Sequence, residues 1–141
     1  MSFLLDTNVV SEWVKPRPHQ AVVAWLNRIE EEEAFLSVVT LMELRYGVDC
    51  MPTGARQARL DKWLHENLPQ RFEGRLLSVD ERVADVCGAL MARRKRAGKS
   101  MGTMDAFIGA TAIVHGLVLA TRNVADFGFP EERVFNPWSE S

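Results

Sequence analysis

Phe3-Leu4-Leu5-Asp6-Thr7-Asn8 is a short apolar run that stops on an acid and two small polar residues. An unbroken apolar run, with no polar alternation, suits a strand buried on both faces of a parallel sheet. Working outward, three further runs share this character: Ala34-Phe-Leu-Ser-Val-Val39, Arg75-Leu-Leu-Ser-Val79 and Leu117-Val-Leu-Ala-Thr121. Val134-Phe135 is short enough for an edge strand. Helical periods fill the gaps. Val83, Val86, Cys87, Leu90 and Met91 recur at i, i+3, i+4, i+7 and i+8, with Asp80 as N-cap and Gly98 as stop. Val22, Trp25, Leu26 and Ile29 mark a helix entered at Pro18 and ended in the run Glu30–Glu33. Leu60, Trp63 and Leu64 mark another that stops before Pro69, and Phe107, Ile108, Ala112 and Ile113 one that ends at His115-Gly116. Met51-Pro-Thr-Gly54 reads as a loop between two helices. Strands alternating with such helices predict a single α/β domain over residues 1–141. Its expected form is a three-layer α/β/α sandwich around a mostly parallel sheet of four to five strands.

Composition narrows the function classes. In 141 residues, 47% are hydrophobic and 26% charged, which excludes a wholly disordered chain. A domain of this size buries roughly two thirds of its unfolded surface, so it needs no metal or disulfide merely to fold. A net charge of −2 and a pI near 5.9 lack the basic excess usual in nucleic-acid-binding domains. No apolar run approaches the roughly 20 residues of a membrane span, and Met1-Ser-Phe-Leu-Leu-Asp6 is not a signal peptide. A cytoplasmic protein without membrane attachment is expected. Cys50 and Cys87 have no Cys-x-x-Cys spacing and read as small buried hydrophobes.

Open α/β sheets bind ligands beyond the carboxyl ends of their strands. Asp6 lies directly after the first strand, and Glu43 in the first turn of the helix after the second. Asp105 opens the fourth helix, and Asn123 and Asp126 follow the fourth strand. Carboxylates gathered at one sheet edge repel one another unless a cation joins them, and Mg²⁺ or Mn²⁺ prefers oxygen ligands. A pair of such ions about 4 Å apart can hold the attacking and leaving oxygens of a phosphodiester. Each acid also has a purely structural reading. Asp6 suits a turn and Asp105 a helix start, while Asp126 is ordinary in a loop. Thr40-Leu-Met-Glu43 matches a capping box, in which Glu43 only satisfies a backbone N–H. Arg93-Arg-Lys-Arg96 with Lys99 reads as a solvated helix C-terminus, with a phosphate-contacting patch as the alternative. His19, His65 and His115 are scattered, and Trp13, Trp25 and Trp63 suit core or interface positions.

Four segments together resemble a known family. Leu4-Leu-Asp-Thr-Asn-Val-Val-Ser-Glu12, Ser37-Val-Val-Thr-Leu-Met-Glu-Leu-Arg-Tyr-Gly47, Asp105-Ala-Phe-Ile-Gly-Ala-Thr-Ala112 and Leu119-Ala-Thr-Arg-Asn-Val-Ala-Asp-Phe127 resemble PIN-domain proteins. More narrowly, the chain is similar to VapC- and FitB-type toxins of bacterial type II toxin–antitoxin pairs, and Val134-Phe-Asn-Pro-Trp138 fits that subgroup. The resemblance implies an endoribonuclease dependent on Mg²⁺ or Mn²⁺ that hydrolyses RNA with metal-activated water, leaving a 3′-hydroxyl and a 5′-phosphate. It also implies a homodimer, a cognate VapB-like antitoxin, and promoter DNA bound only through that antitoxin. The family's first three acids map to Asp6, Glu43 and Asp105 as catalytic and metal-ligating residues, with Thr7, Asn8 and Thr121 as supporting polar groups. Where the family often has a fourth acid this chain has Asn123, so Asn123 or Asp126 closes the cluster.

Two other readings compete. Asp6-Thr-Asn-Val-Val10 loosely resembles the nucleophile motif of haloacid dehalogenase-like phosphatases, but Asn8 replaces the second acid and no lysine motif follows. A non-catalytic module that binds an antitoxin or nucleic acid would use the same acids only as caps. With the four candidate acids set aside, bases outnumber acids, so the net charge of −2 does not exclude a nucleic-acid partner.

Overall fold

The computed structural model describes residues 1–139; Glu140 and Ser141, the end of the expected domain, lie outside the described residues. Its strands are β1 (Phe3–Leu5), β2 (Ala34–Ser37), β3 (Leu76–Leu77), β4 (Val118–Ala120) and β5 (Val134–Phe135). They form one sheet in the order β3-β2-β1-β4-β5, with every neighbouring pair parallel. The chain lays β2 and β3 to one side of β1, then returns to place β4 and β5 on the other. The crevice beyond the carboxyl ends of β1 and β4 is therefore the topological switch point, where such sheets bind ligands. Register fixes what stands there. Leu5 pairs with Ala120, so the next residues, Asp6 and Thr121, emerge side by side.

Side chains alternate across the sheet with the period of two expected of a strand. Leu5, Leu36 and Ala120 face one layer, where they pack with Val9, Val22, Leu26 and Leu64. That layer contains α1 (Thr7–Val10), α2 (Gln20–Arg28), α3 (Val38–Asp49), α4 (Ala55–Lys62) and α5 (Leu68–Arg71). Leu4 and Leu119 face the opposite layer, against Ile108, Ala112 and Phe127. There α6 (Glu81–Arg96) and α7 (Thr103–His115) pack through Val83, Cys87, Ala106 and Ala110. The three-layer parallel sandwich expected from the strand and helix periods is the observed architecture.

Helix ends follow their local chemistry. The Asp80 carboxylate accepts from the Val83 N–H at 2.9 Å and caps α6. Gly116, at φ 64°, ends α7 in a left-handed turn, and Leu117 N–H donates back to the Ala112 carbonyl at 2.9 Å.

Four local expectations need correction. The second strand stops at Ser37, whose hydroxyl accepts from the Val39 N–H at 3.0 Å and so starts α3 at Val38. The third strand is only Leu76–Leu77. The helix through Leu60 and Leu64 does not stop before Pro69. A π turn at Trp63–Asn67, in which Leu68 N–H reaches the Trp63 carbonyl, passes the ring into the first turn of α5, where a missing N–H is tolerated. Cys87 is buried as expected, but Cys50 is exposed at the end of α3. Among the described residues, no helix is long and apolar enough to cross a membrane.

Candidate active site

Asp6 ends β1 and is 5% exposed. Both of its oxygens are held. Oδ1 accepts from the Thr7 N–H at 2.7 Å, which makes Asp6 the N-cap of α1. Oδ2 accepts from the Thr121 hydroxyl at 2.7 Å and from Asn8 Nδ2 at 3.5 Å. Burial lifts the Asp6 pKa above the ordinary carboxylate value; the bonds from Thr121 and Thr7 pull it back, while the charges of Asp105 and Glu43 push it further up.

Glu43 reaches the same crevice from α3. Because Ser37 caps that helix, Glu43 sits in its second turn and not its first, and the capping-box reading fails. Its Oε1 instead accepts from the Thr7 hydroxyl at 2.6 Å, and the Thr7 hydroxyl is hydrogen-bonded to that of Thr40 at 3.2 Å. Asp105 stands in the first turn of α7, half-buried, and among the described residues nothing donates a hydrogen bond to its carboxylate. Burial raises its pKa, with further upward pushes from Glu43 and Asp126. Asp126 is the exposed last residue of a 3₁₀ turn, Val124–Asp126. Asn123, just before that turn, donates its N–H to Thr121 Oγ1 at 3.1 Å, and its carbonyl accepts from the Asp126 N–H at 3.0 Å.

Asp6, Glu43 and Asp105 are thus brought within electrostatic reach of one another at the switch point, with Thr7, Asn8 and Thr121 bonded among them, while Asp126 of these reaches only Asp105, from the exposed rim. Among the described residues, no three His, Cys, Asp or Glu side chains form a ready-made metal cage. A hydrated hard cation does not require one, since Mg²⁺ takes one or two carboxylates and fills its remaining positions with water and phosphate oxygens. An all-oxygen donor set in which burial and neighbouring carboxylates push the Asp6 and Asp105 pKa values up fits that cation, because a positive charge relieves the repulsion.

The PIN-domain family matches residues 3–127. This chain belongs to the PIN-domain family. It is 39% identical to Toxin FitB of Neisseria gonorrhoeae over 97% of this chain and 99% of that protein. It is 38% identical to VapC ribonuclease Y4jK of Sinorhizobium fredii over 96% of both chains. A crystal structure of FitAcB from Neisseria gonorrhoeae superposes with a TM-score of 0.92 at 39% identity, covering 98% of this chain and 99% of that one. A structure of FitAB bound to an IR36 DNA fragment gives the same TM-score at 37% identity, over 99% and 97% of the two chains.

Three residues that shape this PIN domain were not singled out from sequence for what they do here. Thr40, fully buried, joins the Thr7–Glu43 pair; its place two residues inside a β-branched run gave no sign of that. Glu12 is 2% exposed and ends the Asp6 segment. Burial opposes its ionisation, but Lys15 and the His19 N–H outweigh that and hold its pKa below the usual range. The Glu12-x-x-Lys15 spacing was the available signal. Arg94 is the third: within a run read as solvated, it is half-buried and donates to the Ala125 and Asp126 carbonyls. A groove of about 540 Å³ lined by Trp13, Trp63, Leu68 and Arg71 among others contains none of the candidate acids.

Proposed function

We propose that this chain is the toxin of a type II toxin–antitoxin pair and a divalent-metal-dependent endoribonuclease, folded as one PIN domain over 1–141 and acting in the cytoplasm. The observation that carries this reading is the buried Asp6 carboxylate, held at the switch point by Thr7 and Thr121, with Glu43 and Asp105 close enough to oppose its ionisation. Relatives support it: one is named a VapC ribonuclease, and another, 29% identical, is a tRNA(fMet)-specific endonuclease of Shigella flexneri. The solved toxin–antitoxin relatives support a VapB-like antitoxin as partner, with DNA contacted through that complex; a homodimer as the assembled form is part of the same proposal.

Asp6, Asp105 and Glu43 would hold Mg²⁺ or Mn²⁺. Bound there, the cation supplies a lowered water pKa and positive charge for the oxyanion that develops at phosphorus. The protein's own part is preorganisation. Thr7 N–H and the Thr121 hydroxyl hold both Asp6 oxygens, so the carboxylate is oriented by the protein itself. The Thr7 hydroxyl fixes Glu43 Oε1 and leaves Oε2 to orient a water. Asp105, without a protein donor, is the acid most available for direct ligation. Asp126, or Asn123 through its carbonyl oxygen, closes the fourth side.

The test is cleavage of total cellular RNA by the purified chain with Mg²⁺ or Mn²⁺, with end-mapping of the products. Asp6→Asn and Asp105→Asn abolish cleavage while the circular dichroism spectrum is kept. Full activity of both variants, or undiminished cleavage in excess chelator, overturns the reading. One observation favours a second reading, a module that binds its partner without catalysis: Asp6 also serves as the N-cap of α1, a purely structural use of that acid. That reading calls for no Mn²⁺ binding and no growth arrest on expression.

A further inference from the structure

Arg94 lies in the last turn of α6, in the run Arg93-Arg-Lys-Arg96, where a lysine or arginine usually gains no more than a favourable place near the helix dipole. It behaves unlike its neighbours. Arg93, Lys95 and Arg96 are exposed, whereas Arg94 is half-buried and crosses from α6 to the segment after β4. Its Nη2 donates to the Ala125 carbonyl at 3.3 Å and to the Asp126 carbonyl at 3.1 Å. Its Nε is buried without a hydrogen-bond partner among the described residues, so the side chain gives up hydration to hold this position.

The receiving segment is shaped for it. Gly128 has φ 65°, a left-handed conformation that side chains rarely adopt. A Cβ at that position would collide with Arg94 Nη1 and lie 2.9 Å from Cζ, so the guanidinium occupies the space a side chain would take. On either side of Gly128, Phe127 and Phe129 press against Gly109 of α7, the helix that carries Asp105; a Cβ there would stand 3.3 and 3.2 Å from the two rings. At its other end the segment is tied to Thr121 Oγ1 through the Asn123 N–H, and Thr121 is bonded to Asp6. Between these two anchors lies Val124–Asp126, three residues of 3₁₀ turn, none of them buried. Arg94 is the side chain that bridges that gap.

We infer that Arg94 is a positioning residue: it clamps the turn at 123–128 and thereby sets where Asp126 stands relative to the carboxylate cluster. This deepens the metal-dependent reading of the same site and rests on it. The clamp acts through the backbone: the guanidinium holds the Ala125 and Asp126 carbonyls, in the turn whose leading residue, Asn123, is bonded to Thr121 and through it to Asp6. Asp126 stands in a turn held in place by that clamp, in a chain whose Asn123, three residues earlier, supplies no charge.

The experiment is a double-mutant cycle on the full chain, with Arg94→Ala, Arg94→Lys, Asp126→Asn and the two combinations. Three measurements are made: amide hydrogen exchange without metal, Mn²⁺ titration, and RNA cleavage resolved into kcat and KM. Arg94→Ala is expected to speed exchange at the Asp126 N–H by about tenfold. It should also weaken Mn²⁺ binding by about fivefold, and that loss should vanish in the Asp126→Asn background. Arg94→Lys falls between, because a point charge replaces a fork that spans two carbonyls. Should Arg94→Ala fail to fold, the cycle with Arg94→Lys decides. Wild-type exchange and Mn²⁺ affinity in the Arg94 variants, or losses that multiply with those of Asp126→Asn, overturn the inference. A wild-type chain that cleaves no RNA overturns the ribonuclease reading alone, since exchange and Mn²⁺ affinity still report on Arg94.

Discussion

The Thr121 hydroxyl donates to Asp6 Oδ2 at 2.7 Å, joining the carboxyl ends of two adjacent strands that lie 115 residues apart in sequence. Thr121 Oγ1 in turn accepts from the Asn123 N–H at 3.1 Å, so one buried threonine orders both Asp6 and the start of the turn bearing Asp126. A hydrogen bond to a charged group contributes about 1.5–3 kcal/mol. Thr121→Val, which keeps the shape, therefore leaves Asp6 with a higher pKa than in the native chain, and Thr121→Ser does not. Carbon-13 titration of the Asp6 carboxyl checks this; an unmoved titration in Thr121→Val would show that the bond does not hold the carboxylate.

Asp6 and Asp105 both have raised pKa values in the folded chain, burial being the first cause in each case. Between the unfolded carboxylate value, about 3.9, and the raised one, the folded state holds more protons than the unfolded state. Stability therefore falls as pH rises through that window and stays lower at neutral pH. Asp105→Asn removes part of this cost. In chelator at pH 7 it should melt higher than the native chain, and the difference should shrink on acidification below both values. Calorimetry across that range tests the point, and a lower melting temperature for Asp105→Asn at pH 7 would contradict it.

Much of this was legible in the sequence, for identifiable reasons. Near-continuous apolar runs such as Phe3–Leu5 and Leu117–Ala120 have few other uses than buried parallel strands, and the i, i+3, i+4 stripe from Val83 to Met91 marked α6. The first acid was legible because it abuts a strand end. What failed was local competition. Two residues, Ser37 and Thr40, offer equally good caps for α3, and sequence does not say which the backbone uses. A cap at Thr40 puts Glu43 in the wrong turn and opens a capping reading for it beside the catalytic one. Pairings across long separations, Thr7 with Glu43 and Arg94 with the carbonyls of the 3₁₀ turn, leave no periodic trace.

The two caps of α3 make opposite claims about Glu43. If Ser37 is the cap, Ser37→Ala costs about 1 kcal/mol of stability, while Glu43→Gln costs the helix nothing, since no backbone N–H depends on it. Urea denaturation of the two variants separates these outcomes. A loss of that size in Glu43→Gln, with none in Ser37→Ala, would restore the capping box.

Gly109 tests how tightly the layer behind Asp105 is packed. A Cβ there would meet Leu90 Cδ2 at 3.1 Å, Phe129 Cζ at 3.2 Å and Phe127 Cδ1 at 3.3 Å. Alanine is favoured over glycine within a helix by about 1 kcal/mol, which works against the clash. Overpacking of a filled core costs about 1–3 kcal/mol. Leu90 and Phe127 are almost fully buried and cannot both withdraw, so the clash outweighs the propensity gain. Gly109→Ala is expected to unfold at lower urea concentration than the native chain with an unchanged denaturant slope. It should also loosen the turn at 123–128, because the ring that yields is attached to it. A midpoint equal to or above the native one would mean that Phe129, the more exposed of the two rings, swings aside and leaves the turn in place.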